Sequence, residues 1–272
     1  MRKQKGFILI KLLVVIAIIA QLLTLIIPGL NMAKRKASMV ADLANVKSTS
    51  LAWYMYQGEN NGLICSLTPQ NAYPWVKNPV DTAGNTPSLT QVTPIVTDED
   101  EKRGISKGVL FEYIKNADVF HCPMDQRKSL YDLSNIFRTY SMPAYLNWSG
   151  TLTGTNEIHR FGKIVGPGTK IMLVEEADMR NYNNGAWSFG APEWTGGGLE
   201  WWDPLAVTHG DGSTLGFCDG PAENHKWVDP FTKDRPNKLA KTGTTNYGRE
   251  APPAGHTTDI QYIYSGWGYR KK

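Results

Sequence analysis

The sequence predicts an α+β fold: one long amino-terminal helix laid against a small antiparallel sheet, in a head domain with long loops. Three observations lead there. Residues 7–27 are almost uniformly apolar. Residues 31–56 contain no proline or glycine and repeat apolar side chains at helical spacing. The roughly 210 residues beyond Asn60 change texture to short apolar runs punctuated by Gly, Pro and Asn, which favours strands and loops.

The first segment has the dimensions of a membrane anchor. As a helix rising ~1.5 Å per residue it spans roughly 30 Å, about the thickness of a bilayer's hydrocarbon. Arg2, Lys3 and Lys5 precede it, so the positive-inside bias predicts a cytoplasmic amino terminus and places the chain beyond residue 27 outside. A secretory signal peptide is the rival reading. Its apolar region runs only ~7–15 residues and ends in a small-x-small cleavage site. Here the run is longer and ends in Ile26-Ile27-Pro28-Gly29. Pro28 interrupts a helix that otherwise continues, and the spacing predicts a kink there. Beyond it Ala33, Ala37, Val40, Ala41, Ala44, Leu51 and Met55 recur as the expected apolar stripe.

A short basic leader, the pair Gly6-Phe7 and the anchor LLVVIAIIA together resemble the type IV prepilins and type II secretion pseudopilins. The resemblance implies that a prepilin peptidase cuts between Gly6 and Phe7 and methylates the new Phe7 amino group. It divides the chain into a leader at 1–6, a transmembrane half-helix at 7–27, an exported half-helix at 28–58 and a globular head at 59–272. It implies a single-pass protein of a bacterial inner membrane, with the head periplasmic or extracellular. The implied partners are the peptidase, the bilayer, other pseudopilins and the secretion platform in the inner membrane. One residue departs from the pattern. Family members usually carry glutamate where this chain has Lys11, and that glutamate is thought to neutralise the amino terminus of a neighbouring subunit. Lys11 repels that amine but lies close enough to the cytoplasmic boundary to snorkel. Anchoring therefore survives, and a minor subunit is expected rather than the main building block.

Charge distribution excludes one class of partner. Residues 1–60 hold eight Lys/Arg against two Asp/Glu, and the rest of the chain holds 21 against 23. The excess of basic residues sits on the leader and helix, so the head lacks the basic face that nucleic-acid binding requires.

In the head, strands are expected at residues 170–175, 205–208, 214–218, 225–228 and 260–264. A short helix is expected at 108–113, and long loops at 67–101 and 181–203. Within THGDGSTLGFCDG, nine residues separate His209 from Asp219-Gly220. This is similar to the H-x9-DG element of a large group of pseudopilin-like proteins. NVKSTSLAWYMYQGENNG and YIKNADVFHCPMD resemble other segments of the same group. After Gly220 the chain departs from it by inserting Pro221-Ala222-Glu223-Asn224 before His225.

His209 and Asp219 invite a metal or catalytic reading. Gly210-Asp211-Gly212 is a turn signal, which sets Thr208 and Ser213 at the tight end of a hairpin. Asp219 then lies some 20 Å along the returning strand. One ion cannot bridge that distance, so both residues are expected to make local turn contacts, with no metal site. No cofactor is expected; a calcium loop at Asp211 stays open as an alternative, although calcium wants six to eight oxygens that the sequence does not assemble.

Cys65, Cys122 and Cys218 allow at most one disulfide and form no C-x-x-C pair. His121 and Cys122 are adjacent in an extended segment and should point to opposite faces, which argues against a dyad. Glu175, Glu176 and Asp178 read as surface acids at a strand end. No G-x-S-x-G, H-E-x-x-H, phosphate-binding or dinucleotide loop is present, and no catalytic residue is expected.

Trp187, Trp194, Trp201 and Trp202 crowd around Gly196-Gly197-Gly198. Exposed on a loop, they would stack on sugars or anchor a protein; otherwise they cover the core. The functional classes are therefore a filament subunit and, as alternative, a membrane-tethered exported module that binds polysaccharide or protein through this loop without polymerising.

Overall fold

The computed structural model describes residues 2–71, 73–89, 95–130, 134–148, 157–242 and 248–268. The chain divides into two compact units, residues 1–40 and residues 41–272. Helix α1, Arg2–Glu59, contributes to both.

The first unit is helical from Arg2 onward, and Pro28 lies inside the helix without ending it. Among the described side chains of residues 11–37 all are exposed, Leu25 by 78%. This is the one described helix long and apolar enough to cross a membrane.

In the second unit the remaining turns of α1 bury a stripe different from the expected one. Asp42, Val46, Thr49, Ser50, Trp53 and Gln57 face inward, while Leu51 and Met55 are 54% and 45% exposed, Ala41 and Ala44 are exposed too, and so is Val40, the last residue of the first unit. Counting apolar letters put the stripe on the wrong face, because this side of the helix packs polar partners of the head as well as apolar ones. The helix ends at Asn60–Gly62, where the Gly62 N–H donates to Gln57 O at 2.8 Å and Gly62 has φ +73°.

After a long irregular stretch come α2 (Asp98–Ser106) and α3 (Phe111–Ile114). A capping box starts α2: Thr97 accepts from the Asp100 N–H, and the Asp100 carboxylate accepts from the Thr97 N–H. The loop expected at 67–101 thus ends in an unforeseen helix.

The main sheet is built from β1 (Tyr140–Pro143), β2 (Ile171–Glu175), β3 (Ala186–Trp187), β6 (Gly212–Phe217) and β7 (Ala222–Lys226), in the order β3-β1-β2-β6-β7. It is mixed and not purely antiparallel, since β1 and β3 run parallel. Two short strands, β4 (Phe189–Gly190) and β5 (Glu200–Trp201), pair separately around α4 (Pro192–Thr195). The strand expected at 205–208 reduces to one bridge, Leu205 to Glu176. The one expected at 225–228 begins earlier, at Ala222, because Cys218-Asp219-Gly220 turns the chain and Phe217 N–H bonds to Pro221 O.

Helices α5 (Pro230–Thr242) and α6 (Thr258–Ser265) complete the unit. Residues 260–264 are therefore helix and not strand. Ile260, Ile263 and Trp267 are buried at spacings of three and four, and Asp259 ties the helix start down by accepting the N–H groups of Val228 and Asp229.

The core is aromatic. Trp53, Trp75, Trp187, Trp201 and Trp227 are among its largest fully buried side chains. Trp187 packs on Phe189, Trp201 and Trp267, so Trp187 and Trp201 form no exposed platform. Trp202 is half-buried, its ring under the Arg249 guanidinium at 4.4 Å. The side chain of Trp194 lies outside the described residues. A small sheet cannot cover both faces by itself, and the indoles do so.

Candidate functional site

Four side chains from four separate segments meet inside the second unit: Asp42 on α1, Cys122 just after the 3₁₀ turn Ala117–Phe120, Glu175 at the end of β2 and His209 before β6. All four are buried, and one ligand atom from each lies within 4.8 Å of every other. His209 Nε2 is the hub, 3.1 Å from Glu175 Oε1, 3.1 Å from Asp42 Oδ2 and 3.4 Å from Cys122 Sγ.

Local structure aims each group. Gly210 and Asp211 turn the chain in left-handed conformations, φ +60° and +66°, and the His209 N–H donates to Gly212 O. The Cys122 N–H donates to Thr139 Oγ1 at 3.0 Å, and Cys122 Sγ accepts from the Met124 N–H at 3.4 Å. Both carboxylates have their outer oxygen held: Tyr140 Oη donates to Asp42 Oδ1, and the Thr214 N–H to Glu175 Oε2 at 2.6 Å. Their other oxygens, Asp42 Oδ2 and Glu175 Oε1, face His209. Among the described residues Asp42 Oδ2 makes no hydrogen bond there, and His209 Nδ1 has no hydrogen-bond partner.

The electrostatics follow from burial and charge. Burial pulls the His209 pKa down, but the Asp42 and Glu175 carboxylates outweigh it and raise it to about 10. Burial and the Asp42 charge push Glu175 up to about 7. Burial, then Glu175 and Asp42, drive the Cys122 thiol far above its usual range. A thiol so placed stays protonated, and the group as a whole shares protons internally or holds a cation.

This corrects the expectation for His209, which makes long-range contacts and not only turn contacts. Asp219 is exposed and lies beyond β6, at the far end of the six-residue strand from His209. Gly220, at φ +109°, closes that turn. The two halves of the H-x9-DG element therefore bracket β6, and its histidine partners Asp42, Glu175 and Cys122. The sequence carried one signal for this: Asp42 sits four residues before Val46 and eleven before Trp53, on the stripe that faces the core.

Gly6 and Phe7 are within α1, and their side chains lie outside the described residues. Lys11 is exposed. The Asp211 carboxylate lies 3.5 Å from Lys233 Nζ, and among the described residues it joins no metal-ligating group. Cys65, Cys122 and Cys218 are all buried and free. His121 turns away from Cys122, its Nδ1 2.6 Å from Phe137 O and its ring stacked on Phe137.

Glu175, Glu176 and Asp178 are fully buried, which corrects the surface reading. Asp178 is held by Arg180, and Ser141 Oγ donates to Glu176 Oε2. Glu101 of α2 is buried as well, accepting the N–H groups of Phe137 and Arg138. Burial raises it to about 7 despite Arg138 and Arg127, and raises Asp203 to about 6 despite Arg180.

A folded-state pKa above the unfolded value means that an acid binds its proton more tightly in the folded chain. Stability therefore falls as pH rises from about 4.5 to about 7. Glu101 alone contributes on the order of 3 kcal/mol at ~1.4 kcal/mol per pKa unit. The denaturation midpoint of the second unit should be higher at pH 5 than at pH 7.5, and Glu101→Gln should flatten that slope. A midpoint that climbs with pH in both proteins would contradict the assignment.

Compared with protein-family models, with curated proteins and with solved structures, the chain has no match.

Proposed function

We propose that this chain is a prepilin-type, membrane-anchored filament subunit, a minor component of a type II secretion or type IV pilus-like assembly. The observation that carries the reading is the junction Gly6-Phe7, with basic residues before it and an apolar helix after it. That helix extends to Glu59, and its residues from Asp42 onward enter the core of the head. A signal peptidase would discard such an anchor, whereas cleavage after Gly6 keeps it. Lys11 in place of the usual glutamate favours a minor subunit, since it repels the amino terminus of a neighbour. The exposed Leu51 and Met55 on the outer face of α1 leave apolar surface for packing against other helices. The alternative, a tethered binding module built on a tryptophan loop, is disfavoured by the burial of Trp187 and Trp201.

Processing tests the reading. After co-expression with a prepilin peptidase, amino-terminal sequencing and intact mass should show a chain that starts at Phe7 and carries one added methyl group. A mature start near Gly29 would mean that a signal peptidase acted, and an intact leader that the junction is not a substrate.

A further inference from the structure

We propose that Asp42, Cys122, Glu175 and His209 bind one divalent transition-metal ion of the zinc class, which fastens the end of α1 to the sheet. This site is independent of the filament reading.

The donor set is one sulfur, one imidazole nitrogen and two carboxylate oxygens, the ligand types that tetrahedral zinc accepts. With bonds of ~2.0–2.3 Å, tetrahedral ligand atoms lie roughly 3.3–3.8 Å apart. Nε2 is 3.1–3.4 Å from the other three donor atoms, and all four lie within 4.8 Å of one another, so an ion is seated when the imidazole draws back and the carboxylates and thiol close in around it.

The surroundings carry the case beyond proximity. Asp42 Oδ2 is fully buried, faces the cluster and makes no hydrogen bond among the described residues. A carboxylate oxygen stripped of water, whose one close cation is an imidazole 3.1 Å away that it shares with Glu175, is costly, and a cation between the four groups supplies a fuller partner. Tyr140 and the Thr214 N–H hold the outer carboxylate oxygens, and the Met124 N–H points at Sγ. Such outer bonds orient ligands. Without an ion two buried carboxylates compete for one imidazole, and a thiol sits among them with only weak hydrogen bonds.

Charge and protons balance. On binding, Cys122 releases its thiol proton, His209 its Nε2 proton and Glu175 any proton it holds to solvent, while Nδ1 keeps the remaining one. Three anionic ligands and a neutral imidazole around a dication then leave one net negative charge. All four positions are filled by protein and none is exposed, which describes a structural site and not a catalytic one. The four ligands come from widely separated segments, so the ion would cross-link the helix to β2, to the loop before β6 and to the segment after Phe120.

The test uses the full chain, tag-free in detergent, stripped with chelator and titrated with Zn²⁺ or Co²⁺. We expect one ion per chain, a higher melting temperature when loaded, and for Co²⁺ the intense visible bands of a tetrahedral centre with a thiolate-to-cobalt charge-transfer band. Cys122→Ser should abolish that band. Tyr140→Phe, which keeps the ring in the core, should fold and weaken affinity by about 10–100-fold. The proposal is overturned by a wild-type chain that takes up no ion at micromolar Zn²⁺. It is equally overturned by a cobalt spectrum without the sulfur band, or by Cys122→Ser and Tyr140→Phe binding as tightly as wild type, which would put the ion elsewhere. Metal analysis of wild type decides the matter even if a variant fails to fold.

Discussion

In metal-free protein, His209→Ala is expected to destabilise the second unit by about 3–5 kcal/mol, the range for removing one partner of a buried ion pair. The loss is larger than that of a turn hydrogen bond, which is worth only about 0.5–1.5 kcal/mol. Removing the imidazole leaves Asp42 Oδ2 and Glu175 Oε1 facing each other across a buried gap, with only the Thr208 hydroxyl still donating to Glu175 Oε1 at 3.3 Å. Asp219→Ala provides the control. That side chain is exposed, and a surface substitution of this kind should change stability by no more than ~0.5 kcal/mol. Chemical unfolding of both variants in chelator measures the difference. If the two variants behave alike, His209 is a turn residue and its long-range contacts carry no energy.

Trp53→Ala should cost a similar ~3–5 kcal/mol, as large-to-small changes of a buried indole do. Trp53 is fully buried on α1, in edge contact with Phe161 at a centroid distance of 5.9 Å. Its Nε1 has no hydrogen-bond partner among the described residues. Trp53→Phe therefore sacrifices volume but no hydrogen bond and should lose markedly less stability than Trp53→Ala. Comparing the two unfolding midpoints separates packing from polarity, and equal losses would mean that the indole N–H matters after all. Because Trp53 lies on the same helix face as Asp42, its loss should also loosen the buried cluster.

Much of the long helix was legible because its signals are local. An apolar run, basic flanks and a proline- and glycine-free stretch to Tyr56 predict a helix that the structure extends to Glu59. β2 and β6 were likewise visible as short runs rich in β-branched and large apolar residues, and Asp219-Gly220 as a turn. α2 was missed although its capping box is written in Thr97 to Asp100, since the acidic, apolar-poor sequence around it reads as loop. α6 was misread because Ile260, Tyr262 and Tyr264 alternate like a strand. The spacing of Ile260, Ile263 and Trp267 was the signal that the fold uses.

The sequence by itself determined the anchor-length helix, its basic amino-terminal flank, the mixed helix-and-sheet class and the turns at both ends of β6. Each depends on the order of neighbouring residues: hydrogen bonding and turn geometry act within a few positions of the chain. Only the tertiary structure decided which side of α1 is buried, where the tryptophans go and what His209 touches. Asp42 and His209 are 167 positions apart, and no local rule pairs them. What brings them together is the packing of α1 on the sheet, where a buried carboxylate is tolerated because an imidazole from another segment meets it.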